Sequence, residues 1–294
     1  MIAILGAGSM GRLWAATLPA GQVAFVPRPG QAPEPASYRF QPLEGESFSV
    51  TVPWLQRGQS PELLLVTTKA GDTLEALKGA VSSIASSTPI VLFQNGLGSQ
   101  QQVSEAWPQR PVLAASTTEG ANRPEPGLTV HAGRGATWLG ALNPAGQPLV
   151  VWVARQLGDS GLAVHPEQDI LGRLWQKLVI NAGINAFTAI LDCHNGEILE
   201  QPYYQQWINP LCEEISSLLA AAGQPQQTPA ALRESIEVVA RKTAANTSSM
   251  RADVLAGRPT EIDFINGYLA RLGQQHGIPT PVNQMLTEQV QQLN

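Results

Sequence analysis

The sequence is poor in charged residues. Charged side chains make up 14% of the 294 residues, well below the ~25% usual for globular proteins. The 18 lysines and arginines are outnumbered by 23 aspartates and glutamates, which gives a formal net charge of −5. Without a basic excess the chain is poorly suited to neutralise many phosphates, so we expect no nucleic-acid partner. A small anionic ligand needs only one locally positive pocket and stays compatible with this composition.

Cysteines, clustered histidines and long apolar runs are also scarce. Cys193 and Cys212 form no CxxC pattern, and the four histidines are far apart. We therefore expect neither a disulfide framework nor a structural metal, with the histidines at surface or capping positions. No charge-free run of about 18 apolar residues occurs, and no basic region precedes the apolar start. These absences predict a metal-free cytoplasmic protein without a membrane partner.

The apolar residues that are present, 43% of the chain, are arranged in two different patterns. Short, nearly continuous runs are typical of strands buried on both faces of a parallel sheet. These runs are Met1–Leu5, Gln22–Val26, Leu63–Thr67, Ile90–Phe93 and Val112–Ala115. Two further runs, Leu128–His131 and Thr137–Leu139, are predicted to pair as an antiparallel edge. The stretch Pro27–Pro61 is rich in proline and glycine, and we interpret it as loop with a short strand around Phe48–Val52.

Helical spacing replaces the strand pattern after Pro166. Apolar residues at i, i+3 and i+4 predict helices in the second half. The segments are Asp169–Leu191, Pro202–Ala222, Thr228–Leu255, in which a break is compatible with the pattern, and Pro259–His276. Two domains follow, residues 1–165 with a parallel sheet and residues 166–294 with helices only.

A glycine-rich hexapeptide directly follows the first apolar run. Its residues are Gly6, Ala7, Gly8, Ser9, Met10 and Gly11. A GxGxxG between a strand and a helix (here Arg12–Leu18) is the fingerprint of dinucleotide binding, with the pyrophosphate at the helix N-terminus. The alternative is a glycine turn without a ligand. The fold class predicted is therefore α/β, a Rossmann-type doubly wound parallel sheet followed by an all-helical C-terminal domain.

Polar residues follow the next three runs. Arg28 stands where NAD-specific folds place an acid on the ribose, and it favours the 2′-phosphate of NADP; the alternative is a solvated loop arginine. Lys69 and Asn95 follow the third and fourth runs. Ligands of open α/β sheets bind at the carboxyl ends of strands, so we expect both residues near the cofactor. A surface lysine and a simple Asn-Gly turn are the alternatives.

The segment Asp169–Leu191 predicts a helix with one polar stripe. Lys177, Asn181 and Asn185 are spaced i, i+4 and i+8 among apolar residues. A buried lysine and two amides need partners, which favours a polar cleft over a solvated helix face. Further on, Pro259 and the nearby acids fit a helix start, so capping is the simpler interpretation of Glu261.

Several of these motifs resemble the ketopantoate reductase, or 2-dehydropantoate 2-reductase, family along the whole chain. They are GAGSMG at 6–11, TTK ending at Lys69, QNGLG at 94–98, LWQKLVINAGINAFTAI at 174–190 and NTSSM…RPTEIDFINGYL at 246–269. The resemblance implies NADPH-dependent reduction of 2-dehydropantoate to (R)-pantoate in pantothenate biosynthesis. A reductase of another 2-oxo acid or imine, and a non-catalytic NADP-binding sensor, are the alternatives.

The resemblance also implies roles for single residues. Lys177 matches the proton donor, and Glu261 matches a carboxylate beside both cofactor and lysine. Matched substrate contacts are Asn181, Asn185, Asn195 and Ser249. Matched cofactor contacts, besides the glycine hexapeptide, are Lys69, Asn95, Ala121 and Glu261. Burial and Glu261 would shift the pKa of Lys177 in opposite directions, and the sequence leaves open which dominates, as it leaves open a monomer or a homodimer.

Overall fold

The computed structural model describes residues 1–28, 30 and 34–293. The chain divides into two compact units. The first comprises residues 1–94 and 99–171, and the second comprises residues 95–98 and 172–294. The short segment 95–98 therefore belongs to the second unit although it lies within the sequence of the first.

The first unit is built around a seven-stranded sheet with the strand order β11-β10-β7-β6-β5-β1-β2. Its elements in chain order are β1 (Ile2–Leu5), α1 (Ser9–Thr17), β2 (Val23–Phe25), β3 (Ala36–Gln41), β4 (Phe48–Val52), β5 (Leu63–Val66), α2 (Thr73–Val81), β6 (Ile90–Leu92), α3 (Ser99–Ala106), β7 (Val112–Thr117), β8 (Gly120–Asn122), β9 (Leu128–Gly133), β10 (Thr137–Ala141), α4 (Val150–Gly158) and β11 (Val164–Pro166). The five neighbouring strands β7, β6, β5, β1 and β2 are parallel, as the continuous apolar runs predict. The strand β10 joins β7 in antiparallel orientation.

A second sheet with the order β4-β3-β9-β8 corrects two of the predictions. The strand predicted at Phe48–Val52 is present, but β3 also occupies a stretch that we interpreted as loop. The predicted pairing of β9 with β10 is wrong, because β9 pairs with β3 and β8. Between them the chain changes sheets at Gly135, whose Cα lies so close to the Thr118 carbonyl that a side chain would overlap it.

The second unit consists of helices. In chain order they are α5 (Ile170–Ile190), which starts at the end of the first unit, α6 (Pro202–Ala221), α7 (Pro229–Lys242), α8 (Ser249–Leu255), α9 (Asn266–His276) and α10 (Pro281–Gln291). The predicted segment Thr228–Leu255 is broken into α7 and α8. A helix start at Pro259 is wrong, because a 3₁₀ turn at Ile262–Phe264 precedes α9. No helix in the described residues is long and apolar enough to span a bilayer.

A buried hydrogen-bond network joins four helices of the second unit. Glu214 on α6 accepts hydrogen bonds from the backbone N–H groups of Val282 and Asn283, at 2.6 and 3.0 Å, in the first turn of α10. The side-chain amide of Asn283 also donates to Glu214 at 2.8 Å, and its oxygen accepts from Asn266 at 3.1 Å. Asn266, the first residue of α9, also donates to the Ala182 carbonyl of α5 at 3.4 Å. The network thereby fixes the start of α9 against α5.

Candidate functional site

The glycine hexapeptide forms the loop between β1 and α1. Gly6 has a φ of +111°, and a Cβ there would lie 2.8 Å from the backbone nitrogen of Thr68. A Cβ on Gly11 would overlap the carbonyl oxygen of Gly6, so both positions require glycine for the fold itself. At Gly8 the nearest atom to an added Cβ is 4.0 Å away, the carbonyl oxygen of Thr67. The middle glycine is therefore not needed for packing, and it leaves room for a ligand to approach the backbone.

The N-terminus of α1 has neither a capping side chain nor an acidic residue in its first turn. Its N-cap is Gly8. The backbone N–H groups of Ser9 and Met10, the first helical residues, lie at the positive end of the helix dipole. Such an end is suited to bind a phosphate group.

The other predicted cofactor residues of the first unit lie near strand ends. Lys69 is half-buried and follows β5, directly before a 3₁₀ turn. Ala121 lies on β8, where it is half-buried opposite His131. Arg28 follows the edge strand β2 and is exposed. Its neighbours Pro29 and residues 31–33 lie outside the described residues.

Lys177 lies on α5 in a half-buried position. Burial lowers the pKa of its ammonium group from the usual 10.5 to about 8, and the smaller effect of Glu261 raises it. Burial therefore dominates, which the sequence left open. At this pKa the lysine is mostly protonated at neutral pH and also able to release a proton.

Asn181 and Asn185 follow Lys177 at intervals of one helical turn. Asn185 is 7% exposed and Asn181 is half-buried. Within the described part of the chain, neither side-chain amide forms a hydrogen bond with the protein. Buried amides are normally paired, so Asn181 and Asn185 have hydrogen-bonding capacity available for a polar ligand.

Glu261 is buried and hydrogen-bonded to Asn95. The amide of Asn95 donates to Glu261 Oε2 at 3.0 Å, across 166 residues of sequence. The backbone of segment 95–98 is held there as well, since Leu97 N–H donates to the Phe264 carbonyl at 2.9 Å. Gly96 has a φ of +77°, and any Cβ would overlap that same carbonyl oxygen. Glu261 precedes the 3₁₀ turn without a side-chain capping bond, so capping does not explain it.

The remaining predicted substrate contacts, Asn195 and Ser249, differ in exposure. Asn195 is buried; its amide donates to Thr243 Oγ1 at 2.9 Å, and its carbonyl oxygen has no partner within the described residues. Ser249 begins α8 and is exposed. The preceding Ser248 was not predicted from the sequence; it caps α8 and shares a 2.7 Å hydrogen bond with Thr188 of α5. A serine directly before a helical segment was the available signal.

The histidine and cysteine predictions have mixed outcomes. His131 is buried, and its Nε2 lies 2.7 Å from Glu119 Oε2, so a surface or capping position is wrong for this residue. Cys193 and Cys212 are buried free thiols, and burial raises the pKa of both. Among the residues that the structure describes, no group of three or more His, Cys, Asp or Glu side chains is placed to hold a metal ion.

Comparison with known proteins decides the family. The family model "Ketopantoate reductase PanE/ApbA" matches residues 2–144, and its C-terminal counterpart matches residues 169–294. This chain belongs to the ketopantoate reductase family. Curated relatives in this family include the 2-dehydropantoate 2-reductases of Vibrio cholerae and Shigella flexneri, which are 34% and 35% identical to this chain. The matches cover 99% and 98% of this chain and 97% and 93% of those proteins. The predicted membership in this family of oxidoreductases is confirmed.

Solved structures confirm the predicted fold class. A PanE/ApbA family ketopantoate reductase from Ralstonia eutropha superposes with a TM-score of 0.84 at 25% identity, covering 99% of this chain and 97% of that one. D-mandelate dehydrogenase with NADH and anilino(oxo)acetate superposes with a TM-score of 0.89 at 24% identity and the same coverage. At this identity the second likeness concerns the fold alone.

Proposed function

We propose that this chain reduces 2-dehydropantoate (ketopantoate) to (R)-pantoate with NADPH, in pantothenate biosynthesis in the cytoplasm. The observation that carries the proposal is the α5 stripe, in a chain of this family. It combines a lysine of lowered pKa with two amides that have no partner among the described residues. In this proposal, residues 1–165 bind NADP and residues 166–294 bind the oxo acid and supply the catalytic groups.

The glycine loop supports the choice of a dinucleotide cofactor. A Cβ on its middle glycine would come no closer than 4.0 Å to another atom, and the first turn of α1 contains no acidic residue. The backbone of residues 6–11 would hold the pyrophosphate, and Arg28 the 2′-phosphate. Lys69, Asn95, Ala121 and Glu261 would complete the cofactor contacts, as their matches in the family imply. When bound, NADPH supplies a hydride to the ketone carbon of the substrate.

Lys177 would act on the ketone oxygen. Negative charge develops there during reduction, and the ammonium group stabilises it by charge and by hydrogen bonding. Transfer of the Nζ proton to this oxygen then completes the alcohol, for which a pKa of about 8 is well matched to neutral pH. Glu261 would favour the protonated lysine between turnovers, because its charge raises the pKa of Lys177. Asn181, Asn185, Asn195 and Ser249 would orient the substrate.

A panel of 2-oxo acids tests the proposed substrate. We expect NADPH oxidation, followed by cofactor absorbance, to be fast with 2-dehydropantoate and slow with pyruvate or unbranched 2-oxo acids. Faster turnover of another panel member, or of an imine, would favour a related reductase. Tight NADPH binding without any turnover would instead favour a non-catalytic sensor, which needs the glycine loop but no proton donor.

Asn181→Ala and Ser249→Ala are expected to raise the KM for the oxo acid and to leave the KM for NADPH nearly unchanged. Each variant removes a hydrogen bond of ~0.5–1.5 kcal/mol, or ~1.5–3 kcal/mol where the substrate carboxylate is the partner. This corresponds to an increase of roughly 2- to 150-fold. Steady-state kinetics with each substrate varied in turn measures the effect, with the exposed Ser217→Ala on α6 as the control. A change confined to the cofactor KM would contradict the assignment.

A further inference from the structure

The side chain of Arg12, on helix α1, folds back towards the glycine loop that precedes the helix. Arg12 Nε donates to the Ala7 carbonyl at 3.1 Å, and the guanidinium carbon lies 4.9 Å from the ring centroid of Tyr38. Tyr38 is a buried residue of β3, and its hydroxyl donates to the backbone carbonyl of Arg12 at 2.6 Å. The loop on one side and the aromatic ring on the other therefore fix the position of this cation.

The terminal nitrogens of Arg12 remain available. Nη1 and Nη2 have no hydrogen-bond acceptor, and the side chain has no carboxylate partner, among the residues that the structure describes. The side chain itself is half-buried. A planar pair of terminal N–H groups matches the geometry of a phosphate, to which arginine binds through two parallel hydrogen bonds.

The charges around the N-terminus of α1 favour the binding of an anion. The N-terminus of α1 has a partial positive charge, and no side chain caps it. A cation that folds back towards a positive helix end adds repulsion, and the first turn contains no acid to offset it. A bound anion would be attracted both by the positive helix end and by the guanidinium group of Arg12.

We infer that Arg12 binds the pyrophosphate of the dinucleotide cofactor, an inference that rests on the proposed function. Ala7, to which Arg12 is anchored, lies between Gly6 and Gly8, and in this fold the loop at these glycines approaches the pyrophosphate. The ribose 2′ position is recognised after the second strand, where Arg28 lies. Arg12 therefore strengthens the binding of NADPH and NADH alike, whereas Arg28 acts on NADPH alone.

Arg12→Met separates these two roles. Methionine keeps an unbranched stem over Tyr38 and is a comparably good helix former, and the backbone carbonyl that accepts from Tyr38 is unchanged. We expect the Kd values of NADPH and NADH, measured by titration calorimetry without substrate, to rise by the same factor. A charge-assisted contact corresponds to a factor of roughly 10 to 100. Arg12→Lys, which keeps the charge without the planar fork, is expected to give a smaller rise that is again equal for both.

Arg39→Met is the matched control. Arg39 is an exposed residue on the same strand as Tyr38 and is bonded to Ser47, so its loss removes the same charge and should leave both Kd values unchanged. Unchanged Kd values in both Arg12 variants, or a loss confined to NADPH, would overturn the inference. If the wild-type protein binds neither dinucleotide, the proposed function fails, and this inference fails with it. Binding by the wild type with normal Kd values in both Arg12 variants refutes the Arg12 inference alone.

Discussion

Lys177→Ala is expected to lower kcat for the oxo acid by roughly 10²–10⁴-fold, the usual contribution of a positioned general acid. The variant removes both the proton and the positive charge that, in the proposed mechanism, would meet the developing oxyanion. The affinity for NADPH should change little, because in the proposed complex the glycine loop and the strand ends would provide most of the cofactor contacts. Steady-state turnover and a separate NADPH titration measure the two quantities. Lys242→Ala, at an exposed position in the last turn of α7, is the control and should behave like the wild type.

The pH dependence of kcat provides a second measurement on the same lysine. If the protonated form is the active one, as we propose, and the pKa is about 8, kcat should be constant below that pH and fall above it. Glu261→Gln removes the charge that raises this pKa, so the fall should begin at lower pH in the variant. Equal losses of NADPH binding and turnover in Lys177→Ala, with no change in the pH profile of Glu261→Gln, would mean that Lys177 supports structure instead.

Arg28→Ala is expected to weaken NADPH binding by roughly 10- to 150-fold and to leave NADH binding nearly unchanged. The 2′-phosphate distinguishes the two cofactors, and a guanidinium can bind it through two charge-assisted hydrogen bonds. A contact of ~1.5–3 kcal/mol corresponds to this range. Arg28 is exposed after β2, and salt screens the attraction between the charges of an exposed ion pair. The preference for NADPH in the wild type should therefore decrease as the salt concentration rises.

Calorimetric titrations of both cofactors measure the effect of Arg28. Arg57→Ala removes one charge from another exposed turn of the same unit, and its NADPH affinity should equal that of the wild type. If Arg28→Ala weakens NADPH and NADH equally, the residue supports the loop and another group contacts the phosphate.

The buried parallel strands and the long helices were predictable from sequence because their patterns are local. β1, β5 and β6 are continuous apolar runs, and each residue of these strands is buried. The strand β3 was missed, although its burial alternates, with Tyr38 and Phe40 inside and Ser37 and Arg39 outside. Its surroundings are rich in proline and glycine, which concealed a period of two. The pairing of β9 with β3 joins residues about 90 positions apart and has no local signature.

The same distinction applies to the candidate site. The spacing of Lys177, Asn181 and Asn185 predicted one polar helix face, because three residues on a single helix need no tertiary information. The bond between Asn95 and Glu261 depends instead on how the chain folds back over 166 residues. The buried pair of His131 and Glu119 was missed for this reason as well, since the two residues meet only through the folding of the chain. Ser248 had a local signal, its position directly before a helical segment, but its bond with Thr188 on α5 had none.

Segment 95–98 has a consequence for any attempt to exchange parts between relatives. Cutting the chain near residue 171 would give a helical fragment in which Glu261 has lost the amide of Asn95 and the Phe264 carbonyl has lost the N–H of Leu97. In such a fragment the surroundings of the Glu261 carboxylate, which raises the pKa of Lys177, would be changed. A chimera that keeps these contacts must therefore transfer residues 95–98 together with residues 172–294, so the second unit is inherited as two separate pieces of sequence.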